Sequence, residues 1–315
     1  MFIRASLRAI FRSMLLLTLL AASAPATTPT VDAQGSQRVE IHFRAMVGDE
    51  PFVCGRRYGG IGTTGATVLP SDFRFYVSDV ALLDQAGNAV PLALEQDNRW
   101  QYQNVALLDF EDKTGPCMNG TSETRDIVVG TVPPGAYSGL RFNLGVPADL
   151  NHQDSTIAPS PLNLTTMFWT WQAGYKFFRV DLEPDRSAMP GPAGMNMPKP
   201  SGGAASPHGA DASAGWAIHL GSTACQPLDR PAGPTDCQTP NRPAVELPGF
   251  DPANGVVVAD LKTLLAQTNV EVNQQDSAFG CMSAPDDGDC AGIMAGFGLP
   301  FQGQGSPGQT LFRAQ

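Results

Sequence analysis

Apolar and polar residues alternate in short runs along most of the chain, and Gly and Pro interrupt the runs at turn spacing. This is the period-2 pattern of half-buried strands. In Val39-Glu40-Ile41-His42-Phe43-Arg44-Ala45 the odd positions offer an apolar face and the even ones a polar face, and Phe73 to Ser78 alternates in the same way. Val80 to Leu83 and Val90 to Leu94 flank Asp84-Gln85-Ala86-Gly87-Asn88, a hairpin signal. Val132-Pro133-Pro134-Gly135 predicts a second turn that leads into a strand over Tyr137 to Leu144. Helical spacing is clearest over Asp260 to Ala266, where Asp260 is placed to cap the first turn. The pattern predicts an all-β fold: an antiparallel β-sandwich with one or two short helices and long loops tied by disulfides.

Two segments break the alternation. Residues 1–33 begin with Arg4, Arg8 and Arg12, continue through the apolar run Met14 to Ala22 and end in small residues, the order expected of a secretory signal peptide. The run is too short for a permanent membrane span, and no later stretch supplies the roughly 20 apolar residues that one needs. The second segment, 189–215, is rich in Pro, Gly, Ala, Ser and Met. It predicts a flexible loop inserted into a single domain over 34–315. Met189, Met195, Met197 and His208 lie within it, and thioethers beside an imidazole suit Cu(I), although an insertion that happens to contain methionines is the simpler reading.

Export changes how the cysteines are read. Six of them, Cys54, Cys117, Cys225, Cys237, Cys281 and Cys290, contain no Cys-x-x-Cys pair, so three disulfides are expected rather than a zinc cluster. Proximity pairs Cys225 with Cys237 and Cys281 with Cys290, leaving Cys54 with Cys117. The formal charge of −10 opposes binding to nucleic acid or to anionic lipid and raises the local concentration of cations. No nucleophile elbow, zinc-protease motif, phosphate loop or dinucleotide fingerprint is present, so no enzyme class is indicated.

Four histidines occur, His42, His152, His208 and His219. His152 follows a loop-like approach after a strand. His219 stands opposite Trp216, Ile218 and Leu220 on a predicted strand, so its imidazole is free to ligate. The run Met167-Phe168-Trp169-Thr170-Trp171-Gln172-Ala173-Gly174-Tyr175-Lys176-Phe177 is unusually aromatic. As one strand it projects Trp169, Trp171 and Tyr175 from a single face, with Lys176 opposed to them and exposed. An aromatic face of this kind more often packs a sandwich core than serves a ligand.

The resemblance of the chain is carried by Pro51-Phe52-Val53-Cys54-Gly55, Phe73 to Val80, Leu107-Leu108-Asp109-Phe110-Glu111, Gly145-Val146-Pro147 with Leu150-Asn151-His152, Pro161-Leu162-Asn163, Met167 to Phe177, and His219-Leu220-Gly221-Ser222-Thr223. Together these resemble the MbnP-type periplasmic copper-binding proteins, which include the copper-repressible surface proteins of methane-oxidising bacteria. The resemblance implies one copper held by two imidazoles and by the amine of kynurenine, an oxidised tryptophan. It implies His152 and His219 as the imidazoles, with Trp169 or Trp171 as the modified residue and Trp169 taken first. It also implies a partner di-haem peroxidase of the MauG type that performs the oxidation. His42 is a secondary candidate ligand, and Asp79 and Asp109 are candidates to orient a ligating ring. The expected location is the periplasm or the cell surface. The competing expectation is a structural or adhesive surface domain in which the aromatics are core and the histidines incidental. A copper oxidase would need an acid, base or second-metal signature that the sequence does not show.

Overall fold

The computed structural model describes residues 35–170, 173–184, 215–225 and 237–315. The leader and nearly all of the 189–215 segment lie outside them. Two sheets are stacked face to face among these residues. The smaller runs in the order Phe312–Ala314, Val256–Asp260, Gln37–Val47, Ile127–Val132, Ala93–Leu94. The larger runs in the order Ala244–Pro248, Tyr137–Leu144, Ala66–Asp84, Phe178–Pro184, Trp216–Leu220, Gly280–Cys281. Most neighbours are antiparallel, as expected. Two pairs are parallel, Gln37–Val47 with Val256–Asp260 and Trp216–Leu220 with Gly280–Cys281, so the sandwich is mixed.

The period-2 pattern decides which side chains meet between the sheets. Val39, Ile41, Phe43, Ala45 and Val47 are buried, while His42 and Arg44 on the same strand are exposed. From the larger sheet, Phe73, Phe75, Phe142 and Phe178 point inward. Phe75 contacts the rings of Phe43 and Phe312 across the gap, with centroids 6.1 and 5.5 Å away. Edge-to-face rings at such distances add to the burial of apolar area.

Ala66–Asp84 is 19 residues long, and it joins two runs that the sequence pattern separates. The join is a bulge. Ser78 pairs with Asn143 and Ala81 with Arg141, so three steps on one strand face two on the other, and Asp79 takes φ 53°. The extra residue shifts the phase by one, so Phe73, Phe75 and Val77 before it and Val80 and Leu82 after it all join the same core. The hairpin at Asp84 is present, with the Asp84 carboxylate accepting from the N–H groups of Ala86 and Asn88.

The expected helix is Leu261–Leu264, and the Asp260 side chain accepts from the N–H of Lys262. The sequence pattern does not predict the longer helix Cys290–Phe297; it ends on Gly298 at φ 73°, where a Cβ would be strained. All three expected disulfides are present: Cys54–Cys117, Cys225–Cys237 and Cys281–Cys290.

Phe75 bridges both sheets and is fully buried, so Phe75→Ala should destabilise the fold by about 3–5 kcal/mol. Urea denaturation followed by tryptophan fluorescence measures it, and a change in midpoint with an unchanged slope is the expected form.

Candidate metal centre

Alternation that sends phenylalanines inward sends charged residues to the outer face of the larger sheet. Asp72 and Arg74 on one strand, Arg179 and Asp181 on the next and His219 on the third all lie on that face, yet all but Asp181 are buried. Residues of the 145–170 segment cover them. Charges removed from water need partners, and here they form a chain. Arg74 donates through Nε and Nη2 to the two oxygens of Asp72 at 2.8 and 2.6 Å. Arg179 Nε lies 3.1 Å from Asp72 Oδ2, and Arg179 also donates to Asp181 Oδ2, 3.0 Å from Nε. Asp181 Oδ1 is 2.7 Å from His219 Nε2.

Two cations of this chain, Arg74 and Arg179, also hold the cover, and Lys176 adds a bond within it. Arg74 Nη1 donates to Thr166 Oγ1 at 3.1 Å, while Arg179 Nη1 and Lys176 Nζ donate to the Thr166 carbonyl at 2.8 and 3.0 Å. Tyr76 and Tyr175 donate to the carbonyls of Pro161 and Leu162. Lys176 is thus half-buried, not exposed as its position in the aromatic run suggested; burial and the nearby Arg179 lower its pKa to about 8. Burial also lowers the pKa of His219, against the pull of Asp181, so the imidazole is neutral near pH 7. Burial acts to raise Asp181, but its hydrogen bond with His219 and the charge and hydrogen bonds of Arg179 outweigh it and hold the carboxylate well below its usual range.

The aromatic run is not one strand. Phe168–Thr170 turns back and pairs with Gly174–Tyr175, and Gly174 takes φ 74°. A Cβ there would lie 2.4 Å from Asn151 Oδ1. Tyr175 therefore packs against Phe168, with centroids 5.0 Å apart, and does not share the face of Trp169. The Trp169 ring instead lies over Gly221, where a Cβ would come within 2.4 Å of its Cζ3 atom, and is 6.4 Å from the His219 ring. Gly221 is fixed through both its N–H and its carbonyl. Its N–H donates to Ser283 Oγ, the Ser283 hydroxyl donates to the His219 carbonyl, and Asn241 donates to the Gly221 carbonyl. A pocket of about 520 Å³ opens beside Trp169, lined also by Ser222, Cys225 and Met282.

His152 follows the short helix Ala148–Asn151 and is half-buried. Asn151 ties it to the rest of the site. Its Oδ1 accepts from the Tyr175 N–H at 2.9 Å, and its Nδ2 lies 3.4 Å from Ser222 Oγ and 3.1 Å from His152 Nε2. His152 Nε2 also lies 3.4 Å from Cys237 Sγ. His152, Trp169 and His219 are therefore gathered around the segment that follows Trp216–Leu220. His42 is not among them. It is exposed on the outer face of the smaller sheet, 3.9 Å from Glu40, with both sheets between it and His219. Trp171 and His208 lie outside the described residues.

Among the described residues, neither Asp79 nor Asp109 touches a candidate ligand. Asp79 accepts from Asn104, Asn143 and Arg242 at the bulge, and Asp109 is buried beside Arg74 and Glu111. The carboxylate that orients a ring is Asp181, which sequence reasoning missed along with Asn151 and Ser283. The available signal was charge at alternate positions within apolar runs, as in Phe178-Arg179-Val180-Asp181-Leu182 and Asp72-Phe73-Arg74-Phe75. Such charges imply a polar face with a cover.

Burial raises the pKa of Asp109 to about 7, against the pull of Arg74, and its Oδ2 has no hydrogen-bond partner among the described residues. The folded state thus holds this proton more tightly than the unfolded state does. Its stabilising effect is complete below the unfolded pKa near 4 and is lost as pH rises through about 7. Thermal denaturation from pH 4 to 8 should show that decline in the parent, and Asp109→Asn should flatten it.

No curated protein matches the chain. A solved structure that it resembles is MbnP from Methylosinus trichosporium, with a TM-score of 0.73 and 28% identity over 89% of this chain and 98% of that one. A family model described as MbnP matches residues 36–283, which take in the larger sheet, all of the smaller one described above except Phe312–Ala314, and every candidate ligand named above. The chain belongs to the MbnP family.

Proposed function

We propose that the protein is an exported copper-binding protein that holds one copper ion as cargo for acquisition, storage or delivery, with no turnover of its own. The ligands are His152, His219 and a kynurenine formed from Trp169 or Trp171 by a MauG-type di-haem peroxidase. The observation that carries this reading is the Asp181–His219 pair beneath Trp169. A neutral imidazole fixed through one nitrogen by a carboxylate is the usual form of a ligating histidine, because the carboxylate sets the tautomer and makes the ring a better donor. With Nε2 bound to Asp181, ligation falls to Nδ1 of His219.

The donor set suits copper. Imidazole and an aromatic amine are nitrogen donors of intermediate softness, and the acidic chain favours the approach of a cation. Trp169 has no lone pair to give while its indole is intact. Opening the five-membered ring frees an aniline nitrogen, and the distance of 6.4 Å between the Trp169 and His219 rings supports Trp169 as the residue changed. The location is the periplasm or the cell surface, supported by the leader-like start of the chain, three disulfides, and no helix among the described residues long and apolar enough to cross a membrane.

Copper titration of protein produced together with the peroxidase tests the reading. His219→Ala and His152→Ala should each abolish tight binding, and Asp181→Asn should weaken it about 10–100-fold. Unchanged binding in both histidine variants would remove the assignment. Peptide mass mapping should show the gain of about 4 Da that the stoichiometry of tryptophan to kynurenine requires on the peptide holding Trp169 and Trp171, and on no other.

A further inference from the structure

His152 faces two neighbourhoods. One is the site just described, and the other is the Cys225–Cys237 disulfide, which clasps the short antiparallel pair Thr223–Cys225 and Cys237–Thr239. A ring nitrogen of His152 and the sulfurs of Cys225 and Cys237 all lie within 4.8 Å of one another, and Nε2 is 3.4 Å from Cys237 Sγ. For a metal bound to one imidazole at about 2.0 Å and to thiolates at about 2.3 Å, ligand atoms stand roughly 3.5–4 Å apart. The nitrogen-to-sulfur spacing is therefore already near that of a complex, and breaking the sulfur–sulfur bond would let the sulfurs separate to match.

The three disulfides differ in access. Both members of the Cys281–Cys290 pair are buried, Cys54–Cys117 joins a partly exposed cysteine to a buried one, and Cys225 and Cys237 are each partly exposed. Cys225 also lines the 520 Å³ pocket beside Met282, so a small reductant has a path to its sulfur. Exposed disulfides are the ones that exchange, because the attacking thiolate must reach a sulfur in line with the bond.

We propose that Cys225, Cys237 and His152 form a redox-gated site for a soft monovalent metal ion, closed while the disulfide stands and opened when a dithiol reduces it. In the opening step a thiolate of the reductant attacks one cysteine sulfur and the protein disulfide breaks. The second thiol of the reductant then resolves the mixed disulfide. The reductant leaves as its own disulfide, two electrons having passed to the protein and two protons to Cys225 and Cys237. Binding of Cu(I) then releases both thiol protons to solvent, leaving two thiolates and one imidazole on the metal, a set that favours Cu(I) over harder ions. This site needs no kynurenine. Its use of His152 makes it an alternative to the copper site described above, so the state of one disulfide would decide where that imidazole is engaged.

The test uses the full mature chain produced without the peroxidase, so that its tryptophans are intact. Graded anaerobic treatment with dithiothreitol, thiol alkylation and peptide mapping give the order of reduction, and Cys225 and Cys237 should appear first. After the reductant is removed, Cu(I) titration against a chromophoric chelator should show one equivalent more than in the oxidised protein. That equivalent should vanish in Cys225→Ser/Cys237→Ser, weaken at least tenfold in His152→Ala and persist in His219→Ala. The His152→Ala variant keeps all three disulfides, so it reports on the site even if the double serine variant folds poorly. Equal Cu(I) binding before and after reduction, or an extra equivalent retained in the double serine variant, overturns the proposal. His219→Ala produced together with the peroxidase should lose the copper of the oxidised protein while gaining this equivalent after reduction, so failure of one site is distinguished from failure of the other.

Discussion

A chain of buried charge runs across the outer face of the larger sheet, from Arg74 through Asp72, Arg179 and Asp181 to His219, and the rest of the site depends on it. Each member would be costly to bury alone, and removing one leaves its neighbour as an uncompensated charge. Its two arginines, Arg74 and Arg179, hold the Thr166 hydroxyl and carbonyl, so the network that orients His219 also fastens the segment carrying Trp169. Ring and cover are placed by one set of contacts. The aromatic core between the sheets supplies stability, and it keeps the strands in the register that brings five polar side chains to one face.

Glycine makes the close approaches possible. The Trp169 ring occupies the space that a Cβ on Gly221 would need, and Asn151 does the same at Gly174. Each glycine lies where two segments distant in sequence meet, one at the end of Trp216–Leu220 and one in the aromatic hairpin. The absence of a side chain there lets the tryptophan come within 6.4 Å of an imidazole while backbone groups keep their partners.

Much of the fold was legible because half-buried strands leave a period-2 trace: Gln37–Val47 and Tyr137–Leu144 were read almost to their ends. What broke the reading was phase. The bulge at Asp79 looks in sequence like the end of one strand and the start of another, although the chain runs on. The helix Cys290–Phe297 holds two glycines and has little intrinsic preference for helix; a disulfide and packing against Leu264 keep it. In the aromatic run, Gly174 was the sign of a turn, yet the density of large rings made a single strand attractive. At the site, residue types with a distinctive chemistry stood out in sequence. Partners such as Asp181, Asn151 and Ser283 did not, because a carboxylate or amide acquires its role only from tertiary register.

The central claim is that the imidazole at the end of the buried charge chain binds copper beneath the tryptophan cover. Anomalous scattering at the copper edge, from crystals of protein purified out of its native host, tests it most directly. The account predicts a single strong peak in contact with the imidazoles of His219 and His152 and with a modified Trp169 or Trp171, while Asp181 remains hydrogen-bonded to His219. A peak elsewhere, or protein whose His219 touches no metal when copper is bound, would contradict it.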